Sequence, residues 1–144
     1  MINAIAHPNI SLVQQLNFDN LAASPDLFSD KFVWHSFNPK LRDVQGNYVG
    51  IKGLRIFFRR LQRYTGSTFR IEPVSLVPIG DELVIAHVVD HMLLYGAHIE
   101  LDAVIVWRIV NGLIVEVWDI PSLYVDRTEP LKPDSLERAL DMAA

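Results

Sequence analysis

An α+β roll is the fold that this sequence predicts, and three observations predict it. Helical patterns come first, strand patterns then follow one another almost to the end, and the longest strand pattern keeps its apolar residues on one side. Helices packed on one face of the sheet would bury that side. The 144 residues fit one domain, with a core expected over about residues 9–124 and a tail over 125–144.

The elements follow in order. Asn9 is a plausible N-cap, and Ile10, Val13, Leu16 and Phe18 suggest a first helix running towards Leu21. Pro25 opens a short turn of helix reaching Phe28. Residues 32–37 read as a brief aromatic and β-branched strand ended by Asn38 and Pro39. Gly46 and Gly50 punctuate a loop. Residues 52–63 then form an amphipathic helix, with Leu54, Phe57, Phe58 and Leu61 on one side and Arg55, Arg59, Arg60 and Arg63 on the other. A solvated helix face is the simpler reading of those arginines, and phosphate binding the alternative. From Phe69 to Pro121 only strands follow, separated at Gly80-Asp81, Gly96-Ala97 and Asn111-Gly112. Residues 128–144 are polar and proline-broken, with a short helical pattern at 135–142, and read as a mobile tail or a surface helix.

Composition excludes several classes. Half the residues are apolar and 21% charged, which is globular composition, and the apolar runs are too short to span a bilayer, so a soluble protein with no membrane partner is expected. The first residues lack a basic segment leading into an apolar stretch, so no signal peptide is expected and a cytoplasmic location is the default. The absence of cysteine removes disulfides, thiolate nucleophiles and cysteine-ligated zinc. A net charge of −4 argues against a nucleic-acid partner.

Register selects the candidate site. Residues 98–109 alternate, with Ile99, Leu101, Ala103, Ile105, Trp107 and Ile109 on the side that must face the core. A two-residue Gly96-Ala97 turn sets Tyr95 opposite His98, Asp90 opposite Ala103 and Met92 opposite Leu101, with Asp90 inside and His91 facing Asp102 outside. After Ile109, a two-residue turn and a three-residue loop with a bulge give opposite faces for the last strand. The first would place Glu116 beside Trp107 on the apolar face. The second places Glu116 opposite Arg108, Trp107 opposite Val117 and Ile105 opposite Asp119, and is preferred on charge. Asp90 and Asp119 then share one apolar face.

An ionisable group on such a face has either a structural partner or a chemical task. Asp90 could accept hydrogen bonds from a buried Tyr or Trp, and Asp119 could cap the sheet end near Pro121. Two together favour function. Metal is not expected: His35, His87 and His91 could be imagined around Asp90, but alternation sends Asp90 to the opposite face from His87 and His91. Either Trp34 or His35 points inward, and the other is at the surface. No glycine-rich phosphate loop, helical HExxH or Gly-x-Ser-x-Gly elbow is present.

The order of elements, with Phe32-Val33-Trp34-His35, Gly46-Asn47-Tyr48-Val49-Gly50, Phe57-Phe58, Gly66-Ser67-Thr68-Phe69 and Val106-Trp107-Arg108 through Asn111-Gly112 to Val117-Trp118-Asp119, resembles the nuclear transport factor 2-like (cystatin-like) superfamily. The closer resemblance is to its SnoaL-like branch of polyketide cyclases, to which ketosteroid isomerases and limonene epoxide hydrolases are related. It implies a cone-shaped roll, a curved and mostly antiparallel sheet wrapped around the N-terminal helices, with acid-base residues on the walls of a pocket. Ketosteroid isomerases place a base where this chain has Ser36 and a protonated acid where it has Ile105. Epoxide hydrolases of the limonene type use two wall aspartates, matched by Asp90 and Asp119, and an arginine where this chain has Val88. SnoaL-like cyclases use a base near the end of the last strand, and Asp119 resembles it.

The reading is therefore a cofactor-independent enzyme that moves one proton on a mostly apolar, carbonyl- or epoxide-bearing small molecule. Asp119 would be the base and Asp90 the acid, with Trp34, His35, Phe58, Met92, Trp107 and Val117 as candidate substrate contacts. The alternative is a non-catalytic ligand-binding or assembly domain. Val89, Val104, Val106, Trp118 and Ile120 on the outer face, rimmed by His91, Asp102, Arg108 and Glu116, lead to the expectation of a homodimer formed through the sheets.

Overall fold

Helix α1, Pro8–Gln14, starts two residues earlier than the apolar pattern suggests, because His7 and not Asn9 caps it: the ring Nδ1 accepts the N–H of Asn9 at 3.2 Å, and Pro8 suits the first turn. It also stops well short of Leu21. The Asn17 side chain accepts the N–H of Asp19 at 2.9 Å, a local bond that competes with the helical one, and the chain continues through 3₁₀ turns at Leu21–Ala23 and Pro25–Leu27. These elements belong to a computed structural model that describes residues 7–124 and 127–129. The helical pattern at 135–142 lies outside the described residues.

Strand β1 spans Phe28–Ser36, longer than its aromatic centre suggests, and β2, Gly46–Val49, pairs with it where a loop is expected. Helix α2, Gly50–Tyr64, follows at once. Gly50 makes that sharp entry possible: its φ is +69° and a Cβ there would stand 3.2 Å from the Asp30 carbonyl oxygen. Leu54, Phe57 and Leu61 are buried and the four arginines are exposed, so the solvated-face reading describes most of the basic side; Arg60 also lies over the Tyr48 ring at 5.7 Å.

Strands β3 (Arg70–Ile79), β4 (Leu83–Leu94), β5 (Ala97–Val110) and β6 (Leu113–Pro121) form the meander. The sheet runs β2-β1-β6-β5-β4-β3, with β1 and β6 parallel and the other neighbours antiparallel. The architecture is thus α+β with a mixed sheet and N-terminal helices: α1 packs against β3 and β4, and α2 against β1 and β2. A short strand β7, Arg127–Glu129, pairs with β5 at His98 to Glu100. Since β6 leaves β5 at the Ala103–Pro121 pair, β7 continues the lane of β6. Among the described residues no helix is long and apolar enough to cross a membrane.

Two hairpins set the register. The β4–β5 turn is Tyr95-Gly96, not Gly96-Ala97: both residues have positive φ, 50° and 78°, and Leu94 pairs with Ala97, the geometry of a type I′ turn. Asp90 therefore faces Leu101 rather than Ala103, Met92 faces Ile99 rather than Leu101, and His91 faces Glu100 rather than Asp102. The displacement is even, so each side chain keeps its face. At Asn111-Gly112 the turn has two residues rather than the three of the preferred loop, and the bulge lies beyond it, opposite Arg108 and Ile109, leaving Val115 as the extra residue. Arg108 then faces Glu116, Trp107 faces Val117 and Ile105 faces Asp119, the register that charge selects.

The core is aromatic. Trp34 meets Phe57, Phe58 and Trp107 at centroid distances of 5.3, 5.8 and 6.1 Å, and Phe18 meets Trp107 edge-on at 6.3 Å. Helix α2 approaches β2 so closely that a Cβ on Gly53 would lie 2.9 Å from the Tyr48 carbonyl carbon. Backbone has little room to yield, so Gly53→Ala is expected to destabilise the fold by roughly 1–3 kcal/mol, although alanine is the better helix former by about 1 kcal/mol. Urea unfolding of parent and variant decides; a stabilised variant would show that the two elements can separate freely.

Candidate active site

Alternation along β4 turns Val88, Asp90 and Met92 inward, and the bulge in β6 does the same for Val117 and Asp119. The inner face is not uniformly filled. The aromatic cluster occupies one part of it, and beyond that cluster Asp90, Met92, Leu94, Ile99, Leu101 and Asp119 line a cavity of about 120 Å³. Phe57, Leu61 and Phe69 close it from the helical side, and Ser36, Asn38, Lys40 and residues 121–123 frame it.

Among the described residues, neither carboxylate receives a hydrogen bond. Asp90 is 6% exposed, and Asp119 is half-buried with its place on the cavity wall. The structural alternative of a buried Tyr or Trp holding Asp90 is therefore not what is found: the indole Nε1 atoms of Trp34 and Trp107 are buried and bond to nothing. Removal from water penalises the charged form of each aspartate. Burial pushes the Asp119 carboxyl up to about 7. Burial raises Asp90 well above the usual carboxylate range, and the negative charge of Asp119 raises it further. The pair titrates as a unit, with protons lost in two steps that belong to both groups.

The other expected contacts divide. Met92 lies on the cavity wall. Trp34, Trp107 and Val117 point inward but are fully buried in the aromatic core, and Phe58 packs between Trp34 and Phe69; these four do not line the cavity, because their own rings and neighbours fill the space there. His35 does not either. It is the outward partner of Trp34: its ring nitrogens lie 2.7 Å from Asn47 Oδ1 and 2.7 Å from Glu116 Oε2, and it stacks on Trp118 at 5.5 Å. The three histidines weighed as a metal cluster have separate partners, since His87 is bonded to Asp102 and His91 to Glu72, each at 2.9 Å.

Sequence reasoning missed Asn38 and Lys40 on the rim, and Ser36, which stands beside Asp119 across the parallel β1–β6 pair. The signal was the loop Asn38-Pro39-Lys40 at the carboxyl end of β1. Its meaning depends on β1 lying next to β6, which no local pattern reveals.

A family model described as a SnoaL-like domain matches residues 11–117. Solved structures share the fold at low identity. Bal32a from a soil-derived mobile gene cassette is 19% identical with a TM-score of 0.68, over 81% of this chain and 90% of that one. TerC co-crystallised with polyporic acid is 19% identical with a TM-score of 0.65, over 80% and 92%. A protein with a ketosteroid isomerase-like fold from Catenulispora acidiphila, in complex with trimethylamine, is 14% identical with a TM-score of 0.57, over 82% and 77%. No curated protein matches the chain.

The raised carboxyls have a cost in stability with a definite sign. An unfolded aspartate loses its proton near pH 4, whereas folded Asp119 keeps its proton up to about 7. Below pH 4 both states are protonated and nothing is lost. Between about 4 and 7 the folded state binds more protons, so stability falls as pH rises, and above that the loss is constant. Asp119→Asn should thus be more stable than the parent at pH 8, by roughly 4 kcal/mol at most, and nearly equal to it at pH 3.5. Thermal or urea unfolding at both pH values checks this, and equal stability at pH 8 would show Asp119 ionising freely.

Proposed function

The chain belongs to the SnoaL-like domain family, and from that premise we propose that it is a cofactor-independent acid-base enzyme acting on a small, mostly apolar molecule that bears a carbonyl or an epoxide. The observation that carries the reading is the pair of carboxylates that, among the described residues, have no hydrogen-bond donors and stand on the wall of an apolar cavity. Uncompensated burial of two acids opposes folding, and such pairs recur where a base and an acid must coexist near neutral pH. In this reading the sheet curls into a cone around α1 and α2, which brings side chains of β4 and β6 towards each other over β5.

Asp119, half ionised near pH 7, is the base. For a carbonyl substrate it takes the proton next to the carbonyl, while protonated Asp90 donates a hydrogen bond to the oxygen on which charge develops; returning the proton elsewhere isomerises the substrate, and attack by the carbanion on a second carbonyl closes a ring. For an epoxide, Asp119 takes a proton from water, whose oxygen attacks carbon, and Asp90 protonates the departing oxygen. Lys40 and Asn38 at the rim meet a polar end of the substrate.

Size limits the choice. A cavity of about 120 Å³ is close to one that admits a benzene-sized molecule and below the ordinary 300–1,000 Å³ of ligand sites. The substrate is therefore compact, or only its reacting end enters while residues 121–124 move aside. That small volume also favours the second reading, a non-catalytic ligand-binding domain. The polyporic acid co-crystallised with one protein of this fold and the trimethylamine in complex with another suit either reading.

Asp119→Asn separates them. On a substrate found by screening compact ketones and epoxides, the variant should retain affinity and lose about 10²–10⁴-fold in kcat, and kcat/KM of the parent should rise with pH to a midpoint near 7. Unchanged turnover in the variant would exclude Asp119 as the base.

The reading includes a homodimer through the outer sheet face. Val104 and Ile120 are exposed there, around a Trp118 ring held between His35 at 5.5 Å and Arg108 at 5.4 Å. Trp118→Glu should yield monomers in analytical ultracentrifugation, because the new carboxylates would be buried near the symmetry axis. A parent that sediments as a monomer at micromolar concentration removes the dimer.

A further inference from the structure

We infer that the outer face of β4 and β5 carries a site for a divalent transition metal of the zinc type, with His91, His98 and Glu100 as ligands and Glu72 behind His91. The three residues offer ligand atoms that all lie within 4.8 Å of one another. The Tyr95-Gly96 hairpin assembles them: it sets His91 opposite Glu100, and His98, two residues before Glu100, shares its face. The rings of His91 and His98 stack with centroids 5.7 Å apart and planes inclined by 13°.

His91 is the residue that points to a ligand. It is 8% exposed, and its Nε2 lies 2.9 Å from Glu72 Oε1. A carboxylate only accepts, so Nε2 carries the proton. The other nitrogen, Nδ1, is buried, makes no hydrogen bond, and stands 3.5 Å from Glu100 Oε1. As a bare lone pair it faces a carboxylate oxygen; as an N–H it has, among the described residues, only the Glu100 oxygen at 3.5 Å, with which it makes no hydrogen bond. A cation held by Nδ1, the Glu100 carboxylate and a nitrogen of His98 removes both difficulties, and Glu72 on the far nitrogen supplies the carboxylate–histidine–metal arrangement that fixes a ligand's tautomer.

Imidazole with carboxylate suits zinc rather than magnesium or calcium. Tetrahedral zinc sets ligand atoms about 3.4 Å apart, which small side-chain rotations reach from the observed spacing. Two carboxylates balance the charge of the ion; Arg70, paired by register with His91, is exposed to solvent, and Arg127 is paired by register with Glu100, so the ion binds against one neighbouring arginine of β7. The site is separate from the cavity, since Asp90 and His91 are consecutive on β4 and point to opposite faces.

Calorimetric titration of zinc chloride into the chelator-treated full chain tests it. One zinc per chain should bind. His98→Ala and Glu100→Gln should each weaken binding at least about tenfold, Glu72→Gln by roughly 10–100-fold, and excess magnesium should not displace the zinc. Ring ¹⁵N signals of His91 and His98 should shift on zinc addition, with those of His35 and His87 unmoved. Absence of saturable binding into the millimolar range, equal affinity in His98→Ala and Glu100→Gln, displacement by magnesium, or shifts at His35 and His87 instead would each overturn the site.

Discussion

One extra residue in β6 decides which chemistry this sheet can present. The bulge that leaves Val115 unpaired converts the register of a two-residue turn into the opposite one, and side chains along β6 change face accordingly. Without it, Glu116 and Trp118 would point into the aromatic core and Asp119 would stand outside. With it, Glu116 reaches His35 at 2.7 Å and Arg108 at 3.6 Å on the outer face, and Asp119 enters the cavity. The outward charge cluster and the inward carboxylate are two results of a single constraint, and the first helps to hold the second in place.

The inner face divides by the size of its side chains. Trp34, Trp107, Phe57 and Phe32 fill the space between sheet and helices, and close packing there leaves no room for a ligand. Towards Ser36, Leu101 and Met92 the side chains become smaller or flexible and the cavity begins. Stability thus comes from one part of the face, and the two inward carboxyls stand in the other. The two raised aspartates destabilise the fold, and the neighbouring aromatic cluster offsets them, a division expected where a site holds charge in an apolar setting.

Much of this was legible in the sequence, for physical reasons. Period-two alternation revealed the inward set of β5 and the faces of Asp90 and Asp119, because a half-buried strand enforces it residue by residue. The Arg108–Glu116 pairing was legible because like and opposite charges discriminate registers. The parallel contact of β1 with β6 was not, since it joins residues some eighty positions apart and leaves no local trace. The four-residue β2 was hidden between two glycines. Tyr95 in the left-handed region is a conformation few side chains adopt, so the hairpin count slipped by two. Alternation also gives direction but not depth: it turned Trp107 and Met92 to the same face, and only packing shows that the first is core and the second cavity wall.

Two neighbouring residues show how far surroundings, rather than residue type, set what a buried ionisable group can do. Asp90 and His91 are both under a tenth exposed, and one peptide bond separates them. Asp90 faces apolar side chains and another acid, so its neutral form is favoured. His91 faces Glu72 and Glu100, so its ring nitrogens stand against carboxylate oxygens rather than apolar side chains. A β-strand through the middle of a sheet places such opposite environments about one residue apart, and the hairpin and bulge that fix its register determine which group receives which.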